Sequence, residues 1–72
     1  MVWFEAENTE GNKHLINVNA VSDVIFHEGT DLTEIVFIRS AYPSVYLRGN
    51  KIKEIRKFIL TSAENNVCRI GE

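Results

Sequence analysis

The hydrophobic pattern of this chain changes its period once, at Gly49-Asn50. Before that point, apolar residues alternate with polar ones or form short β-branched runs, which is typical of strands. After it they recur every three or four residues, which is typical of one amphipathic helix. The turns between the apolar segments are too short to hold a crossover helix, so the strands are expected to be antiparallel. The pattern therefore predicts a group of antiparallel strands followed by a single helix.

Five segments before Asn50 have the character of strands. In the first of them, Phe4 and Ala6 share one face, while Trp3, Glu5 and Glu7 share the other. The fourth contains a continuous apolar run, Ile35 to Ile38, which is typical of a central strand covered on both faces. We place the strands at about residues 2–7, 13–18, 21–27, 32–39 and 45–48.

The helix is predicted at about residues 51–64, with Asn50 as its N-cap. Its apolar stripe is formed by Ile52, Ile55, Ile59 and Ala63, with Phe58 beside it. A tail follows at residues 65–72, and its segment Val67–Ile70 is long enough for a short terminal strand.

The expected fold class is α+β, mainly β: a five-stranded antiparallel meander packed by one C-terminal helix. The sheet is predicted to be a curved sheet or a partly closed roll of the pleckstrin-homology-like kind. A chain of 72 residues has room for one domain, residues 1–72. Its single cysteine, Cys68, cannot form an internal disulfide, so self-association is the most available reinforcement for so small a core.

The order of motifs resembles the FlbD family of small flagellar-operon proteins, and similar short proteins occur in phages and mobile elements. The residues that carry this resemblance are Trp3-Phe4-Glu5, Gly11, Ile16-Asn17, Val21-x-x-Val24 and Glu54-Ile55. The chain departs from the family's pattern at Tyr42-Pro43, which lengthens a tight hairpin, and in the tail after the helix. The resemblance implies a small accessory or regulatory interaction protein, and it brings no catalytic motif.

Catalytic and metal chemistry find little support in the residue spacing. His14 and His27 lie on different strands without the spacing of metal ligands. The adjacent Ser22 and Asp23 are expected to point to opposite faces of a strand, where they cannot form a relay. Cys68 lies close to the C-terminus. We therefore expect no enzyme, no metal and no cofactor.

No apolar run approaches the roughly 20 residues that a membrane-spanning helix needs. The first seven residues carry acids where a signal peptide carries positive charge. We therefore expect a cytoplasmic protein that has no membrane partner.

The net charge of −2 is the sum of two opposite halves. Residues 1–38 carry seven acids and one lysine, whereas residues 39–72 carry seven cations and three acids. Five of those cations lie close together: Arg48, Lys51, Lys53, Arg56 and Lys57. They form either a solvated face or, with Lys51 and Lys53 in the first helical turn, a surface for phosphate, nucleic acid or an acidic protein.

Three aromatic residues are candidates for an interface: Trp3, Tyr42 and Tyr46. Trp3 is either an exposed anchor or is covered by Val67–Ile70. The tyrosines either pack at a hairpin edge or, beside Arg48, stack on bases. We therefore expect a non-enzymatic protein-interaction module, a homo-oligomer of two or more copies, with an acidic protein as partner. The alternative is a nucleic-acid-associated regulator that uses the basic 48–57 segment with Tyr46.

Overall fold

The strands divide into two sheets. The computed structural model describes residues 3–39 and 41–62. The first hairpin is a two-stranded sheet, and the remaining strands form a three-stranded sheet in the order β3-β4-β5, all antiparallel. The strands are β1 (Trp3–Glu7), β2 (Lys13–Asn17), β3 (Val21–His27), β4 (Leu32–Phe37) and β5 (Val45–Arg48), and they are followed by α1 (Ile52–Ser62).

The predicted fold class is confirmed at this level, α+β with five antiparallel strands before one helix, but the prediction of a single meander sheet is wrong. The break is a 3-10 turn, Val18–Ala20, between β2 and β3. The side-chain oxygen of Asn17 accepts the N–H of Asn19 at 2.9 Å and caps this turn. Val18, predicted as the last residue of β2, is buried in the core. The chain turns a corner there, so β3 pairs with β4 and not with β2.

The β1–β2 hairpin has the alternation expected from its sequence. Phe4 is buried and Ala6 is half-buried, whereas Trp3, Glu5 and Glu7 are exposed. Its turn is closed by the side-chain oxygen of Asn8, which accepts the N–H groups of Glu10 and Asn12. The hairpin therefore presents one apolar face to the core and one mixed face to solvent.

The central position of β4 follows from its residues. Thr33 and Ile35 are fully buried on its inner face, while Leu32, Glu34 and Val36 are half-buried on its outer face. The predicted strand 32–39 is two residues too long, because β4 ends at Phe37 and the side chain of Ile38 is 65% exposed.

α1 begins one residue later than predicted and buries a narrower stripe. Ile55 is buried, Ile59 is half-buried, and the ring of Phe58 stacks on that of Phe4 with their centroids 5.2 Å apart. Ile52, predicted as part of the stripe, is 37% exposed. In the part of the chain that the structure describes, no helix is long and apolar enough to span a membrane. The predicted residue 2, the helical residues 63–64 and the tail 65–72 with its Val67–Ile70 strand lie outside the described residues.

The junction between β5 and α1 is tied to the middle of β4 by one hydroxyl group. Oγ1 of Thr33 donates to the carbonyl oxygen of Gly49 at 2.6 Å and accepts the N–H of Lys51 at 2.9 Å. Gly49 has φ +79°, a conformation that side-chain-bearing residues rarely adopt. The turn into the helix therefore depends on a glycine and on a buried threonine from another strand.

Thr33→Val should destabilise the fold by about 1–3 kcal/mol, because valine leaves the Gly49 carbonyl and the Lys51 N–H without their buried partner. Thr33→Ser keeps the hydroxyl and should cost about 1 kcal/mol, the value of the lost methyl group. Urea unfolding of both variants gives the comparison. Equal losses in the two variants would show that packing, and not the hydroxyl, decides the stability of this junction.

Candidate functional site

The three aromatic residues that the sequence predicts as an interface line one groove. We call it the aromatic groove; its volume is about 850 Å³, and its apolar lining is formed mainly by Trp3, Leu15, Phe37, Tyr42, Pro43 and Tyr46. Trp3 is 49% and Leu15 68% exposed, and both tyrosines are exposed as well. Among the described residues of the lining, Glu10 is the only carboxylate, and none is a lysine or arginine. This is an apolar surface open to solvent.

Two strand edges form the walls of the aromatic groove. Among the described residues, β2 pairs only with β1, and β5 pairs only with β4. The walls meet at the hairpin turn, where the N–H of Thr9 donates to the carbonyl oxygen of Tyr46 at 3.0 Å. An unpaired strand edge carries backbone N–H and C=O groups that can pair with another chain. The site can therefore offer both side-chain pockets and a strand edge to an extended segment.

The five predicted cations do not form one surface. Arg48 and Lys51 line a second groove, which we call the charged groove, between β1 and the start of α1. The other charged residues among its described lining are the acids Glu5, Glu7, Glu10 and Glu54. Nη2 of Arg48 donates to the carbonyl oxygen of Thr9 at 3.1 Å, and Nζ of Lys51 lies 4.0 Å from Oε2 of Glu54. These two cations therefore stand among acids.

The predicted anion site at the helix start is poorly suited to an anion. Lys51 precedes the helix, and its N–H donates to Thr33. The N–H of Ile52 donates to the side-chain oxygen of Asn50 at 3.1 Å, so the predicted cap residue bonds to the first helical N–H from two positions before it. An anion at a helix start binds the free N–H groups of the first turn, and these two are already satisfied. Glu54 in that turn adds a repelling charge.

The other three cations lie on the solvent side of α1. Lys53, Arg56 and Lys57 are exposed, and they occupy the side of the helix away from the buried Ile55. We call these three residues the basic face. None of its three residues is among the described residues that line the aromatic groove.

A polar cluster on the outer face of the three-stranded sheet was not foreseen from the sequence. Nε2–H of His27 donates to Oε1 of Glu34 at 2.9 Å, and the hydroxyl groups of Ser44 and Tyr46 also bond to this carboxylate. The bonds from Ser44 and His27 hold the pKa of Glu34 below its usual range, and the charge of Glu34 raises the pKa of Tyr46. The cluster thus holds the side chain of Tyr46, which lines the aromatic groove.

The remaining polar candidates lie apart. His14 accepts a hydrogen bond from the Asn8 amide at 3.1 Å, far along the chain from the His27 cluster. Ser22 and Asp23, predicted on opposite faces, meet at a bulge in β3, where the serine hydroxyl donates to the carboxylate at 3.1 Å. Within residues 3–39 and 41–62, no three histidine, cysteine or acidic side chains converge as metal ligands. Cys68 lies outside the described residues.

Two residues, one in the aromatic groove and one in the polar cluster beside it, were missed for different reasons. In the sequence, Leu15 has the character of an ordinary apolar strand residue. Only its pairing with the exposed Glu5 shows that it lies on the outer face of the hairpin. Glu34 did carry a signal, since an acid between Thr33 and Ile35 interrupts a run suited to a central strand.

Scans against protein-family models, curated proteins and solved structures found no match to this chain. The resemblance to the FlbD family therefore stays a prediction.

The free energy of unfolding should fall at acid pH in a way that depends on Glu34. A carboxylate whose pKa is lowered by folding stabilises the fold above its unfolded value of 4.5, and the contribution is lost as the pH falls through the lower folded value. Urea unfolding between about pH 7 and pH 3 should show a flatter dependence for Glu34→Gln. Glu28→Gln, in the exposed β3–β4 turn, is the control and should keep the wild-type slope.

Proposed function

We propose that this chain is a small non-enzymatic protein-interaction module that self-associates through the aromatic groove and presents its basic face to an acidic protein partner. The observation that carries the proposal is the convergence of Trp3, Tyr42 and Tyr46 on one exposed groove between two strand edges. Aromatic side chains in such a position are the residue types that anchor protein interfaces.

The shape of the groove favours a protein ligand. An extended chain can pair its backbone with the edge of β2 or β5 while its side chains contact the tyrosines and Leu15. A second copy of this chain offers strand edges of its own, so pairing between copies needs no other partner. A homo-oligomer was expected from the small core and the single cysteine. We propose the aromatic groove as the surface through which its copies bind.

The separation of the two surfaces favours this proposal over the nucleic-acid alternative. A single-stranded nucleic acid needs cations along its phosphates beside the aromatic rings on which its bases stack. No lysine or arginine lines the aromatic groove in the part of the chain that the structure describes, and the basic face lies on the helix. The basic face alone, with three cations, suits the side chains of an acidic protein surface.

Self-association should be weakened by a change in the aromatic groove and not by a similar change outside it. Tyr42→Ser removes an exposed ring from the groove, and we expect the dimer dissociation constant to rise about tenfold or more. Ile38→Ser is the control, since Ile38 is exposed on the same connection but does not line the groove. Sedimentation equilibrium measures the dimer dissociation constant of both variants and of the wild type. A wild-type chain that stays monomeric at high micromolar concentration would refute self-association.

The basic face is tested with a fluorescent polyglutamate peptide as the acidic probe, and binding is measured by fluorescence anisotropy. Reversal of two cations in Lys53→Glu/Arg56→Glu should weaken its binding about tenfold. The matched control, Lys13→Glu/Arg39→Glu, changes the net charge equally at exposed positions outside the basic face and should bind nearly as the wild type does.

The same anisotropy assay with a single-stranded oligonucleotide separates the two functions. We expect weak binding of the oligonucleotide. Tight binding that declines steeply with salt, and that is lost in the Lys53→Glu/Arg56→Glu variant, would instead support the nucleic-acid regulator.

A further inference from the structure

We propose that the acidic protein partner of the basic face is a second copy of this chain, which receives Lys53 and Lys57 on the outer face of its β1–β2 hairpin. The inference rests on the proposed function in taking the aromatic groove and the basic face as interaction surfaces. It adds that the two surfaces meet in one contact between copies.

The outer face of the hairpin is acidic along β1 and apolar beside it. Glu5 and Glu7 are exposed there, and neither is in an ion pair with another described residue. Trp3 is exposed on the same face, and Leu15 pairs in register with Glu5. Lys13, which pairs with Glu7, is the only cation of this face in the described strands. The face therefore offers two carboxylates next to the apolar residues of the aromatic groove.

Lys53 and Lys57 point away from the core of their own copy. At 100° per residue they lie about 160° and 200° around α1 from the buried Ile55, and both are exposed. They are one helical turn apart, about 6 Å along the axis. Glu5 and Glu7 are separated by about 7 Å along β1. The two pairs of opposite charges therefore have nearly the same spacing.

The helix runs antiparallel to β1 and lies beside it. Nη2 of Arg48, four residues before the helix, bonds to Thr9 in the hairpin turn, whereas Phe58 stacks on Phe4 near the start of the strand. The charged groove lies between the two elements. The helix therefore extends from the level of the hairpin turn back to the level of Phe4.

A two-fold axis parallel to β1 brings the helix of one copy over the hairpin of the other. Such an axis keeps each residue at its level along the strand, so Lys57 of one copy lies opposite Glu5 of the other. In the same way Lys53 lies opposite Glu7. The contact is then made a second time with the roles exchanged, because a two-fold interface is self-complementary. Two copies thus form a closed dimer that uses the helix and the hairpin of each.

Charge and apolar area act together in this contact. Exposed ion pairs alone bind weakly. The contact also covers Trp3 and Leu15, which are 49% and 68% exposed, with the aliphatic stems of the lysines. A dimer in which hairpin faced hairpin would instead bring like charges together. The charges therefore select the helix of the second copy as the occupant of this face.

Exchange of the charges tests the contact. Lys53→Glu/Lys57→Glu makes the helix acidic, and Glu5→Lys/Glu7→Lys makes the hairpin basic. Each variant alone brings like charges together, so at about 50 mM salt its dimer dissociation constant should rise about tenfold or more in sedimentation equilibrium. The chain with all four substitutions keeps the net charge of −2, and its dissociation constant should return to within about threefold of the wild-type value.

A mixture and a matched control complete the experiment. An equimolar mixture of the two variants should associate, since each supplies the charge that the other has lost. Asp23→Lys/Glu28→Lys is the control for the hairpin change, because it alters the net charge equally at exposed positions of β3 and its turn. It should keep the wild-type dissociation constant, and it should not restore association in a chain with Lys53→Glu/Lys57→Glu. Circular dichroism checks that every variant is folded.

The inference is overturned if the chain with all four substitutions associates no better than the two variants, or if Glu5→Lys/Glu7→Lys behaves as its control does. If both variants keep the wild-type dimer while Tyr42→Ser weakens it, self-association through the groove stands and the acidic partner is another protein. A wild-type chain that stays monomeric refutes self-association and this contact together.

Discussion

The hydroxyl group of Thr33 is the interaction on which the rest of the arrangement depends. It lies fully buried in the central strand and bonds to both sides of the turn that leads from β5 into α1. These two bonds set where the helix starts, and so they place Ile55 in the core and Phe58 on Phe4. A buried hydroxyl with both partners satisfied stabilises one geometry, whereas a shifted helix would leave the carbonyl and the N–H unpaired.

The bond from the Lys51 N–H to Thr33 also makes the start of the helix poorly suited to an anion, in spite of its lysines. A helix start binds phosphate through its free N–H groups, and here Thr33 and the Asn50 side chain occupy the first two. The cations are therefore divided by their surroundings. Arg48 and Lys51 stand among four acids, and the basic face on the solvent side of α1 is the part of the cluster that faces outward.

The 3-10 corner has an equally direct consequence for the candidate site. Because Val18 enters the core and the chain turns, the edge of β2 is not used by β3. It instead faces β5 across the aromatic groove, and the sheets touch through the backbone at Thr9 and Tyr46. A single five-stranded sheet would have paired β2 with β3 and would have left no groove between strand edges. The feature that the sequence missed in the fold is thus the one that creates the site.

Much of the secondary structure could be predicted from residues that lie close together in the chain. The alternation around Phe4, the helical spacing around Ile55 and the role of Asn50 before the helix were recognisable in the sequence, because each depends on residues close together in the chain. The aromatic candidates Trp3, Tyr42 and Tyr46 were named as separate residues, and the sequence offered no reason for them to meet. Their meeting depends on strand register and on the corner, which are contacts between residues far apart in the chain.

The sequence by itself determined the number, kind and order of the secondary-structure elements, because the period of the apolar residues depends on neighbours in the chain. It also determined the opposite charges of the two halves. The tertiary structure decided that the strands split into two sheets and that Thr33 closes the β5–α1 turn. It also decided that the aromatic residues share a groove while the cations separate. These outcomes depend on which buried polar groups and strand edges find partners, and that is a property of the whole packed chain.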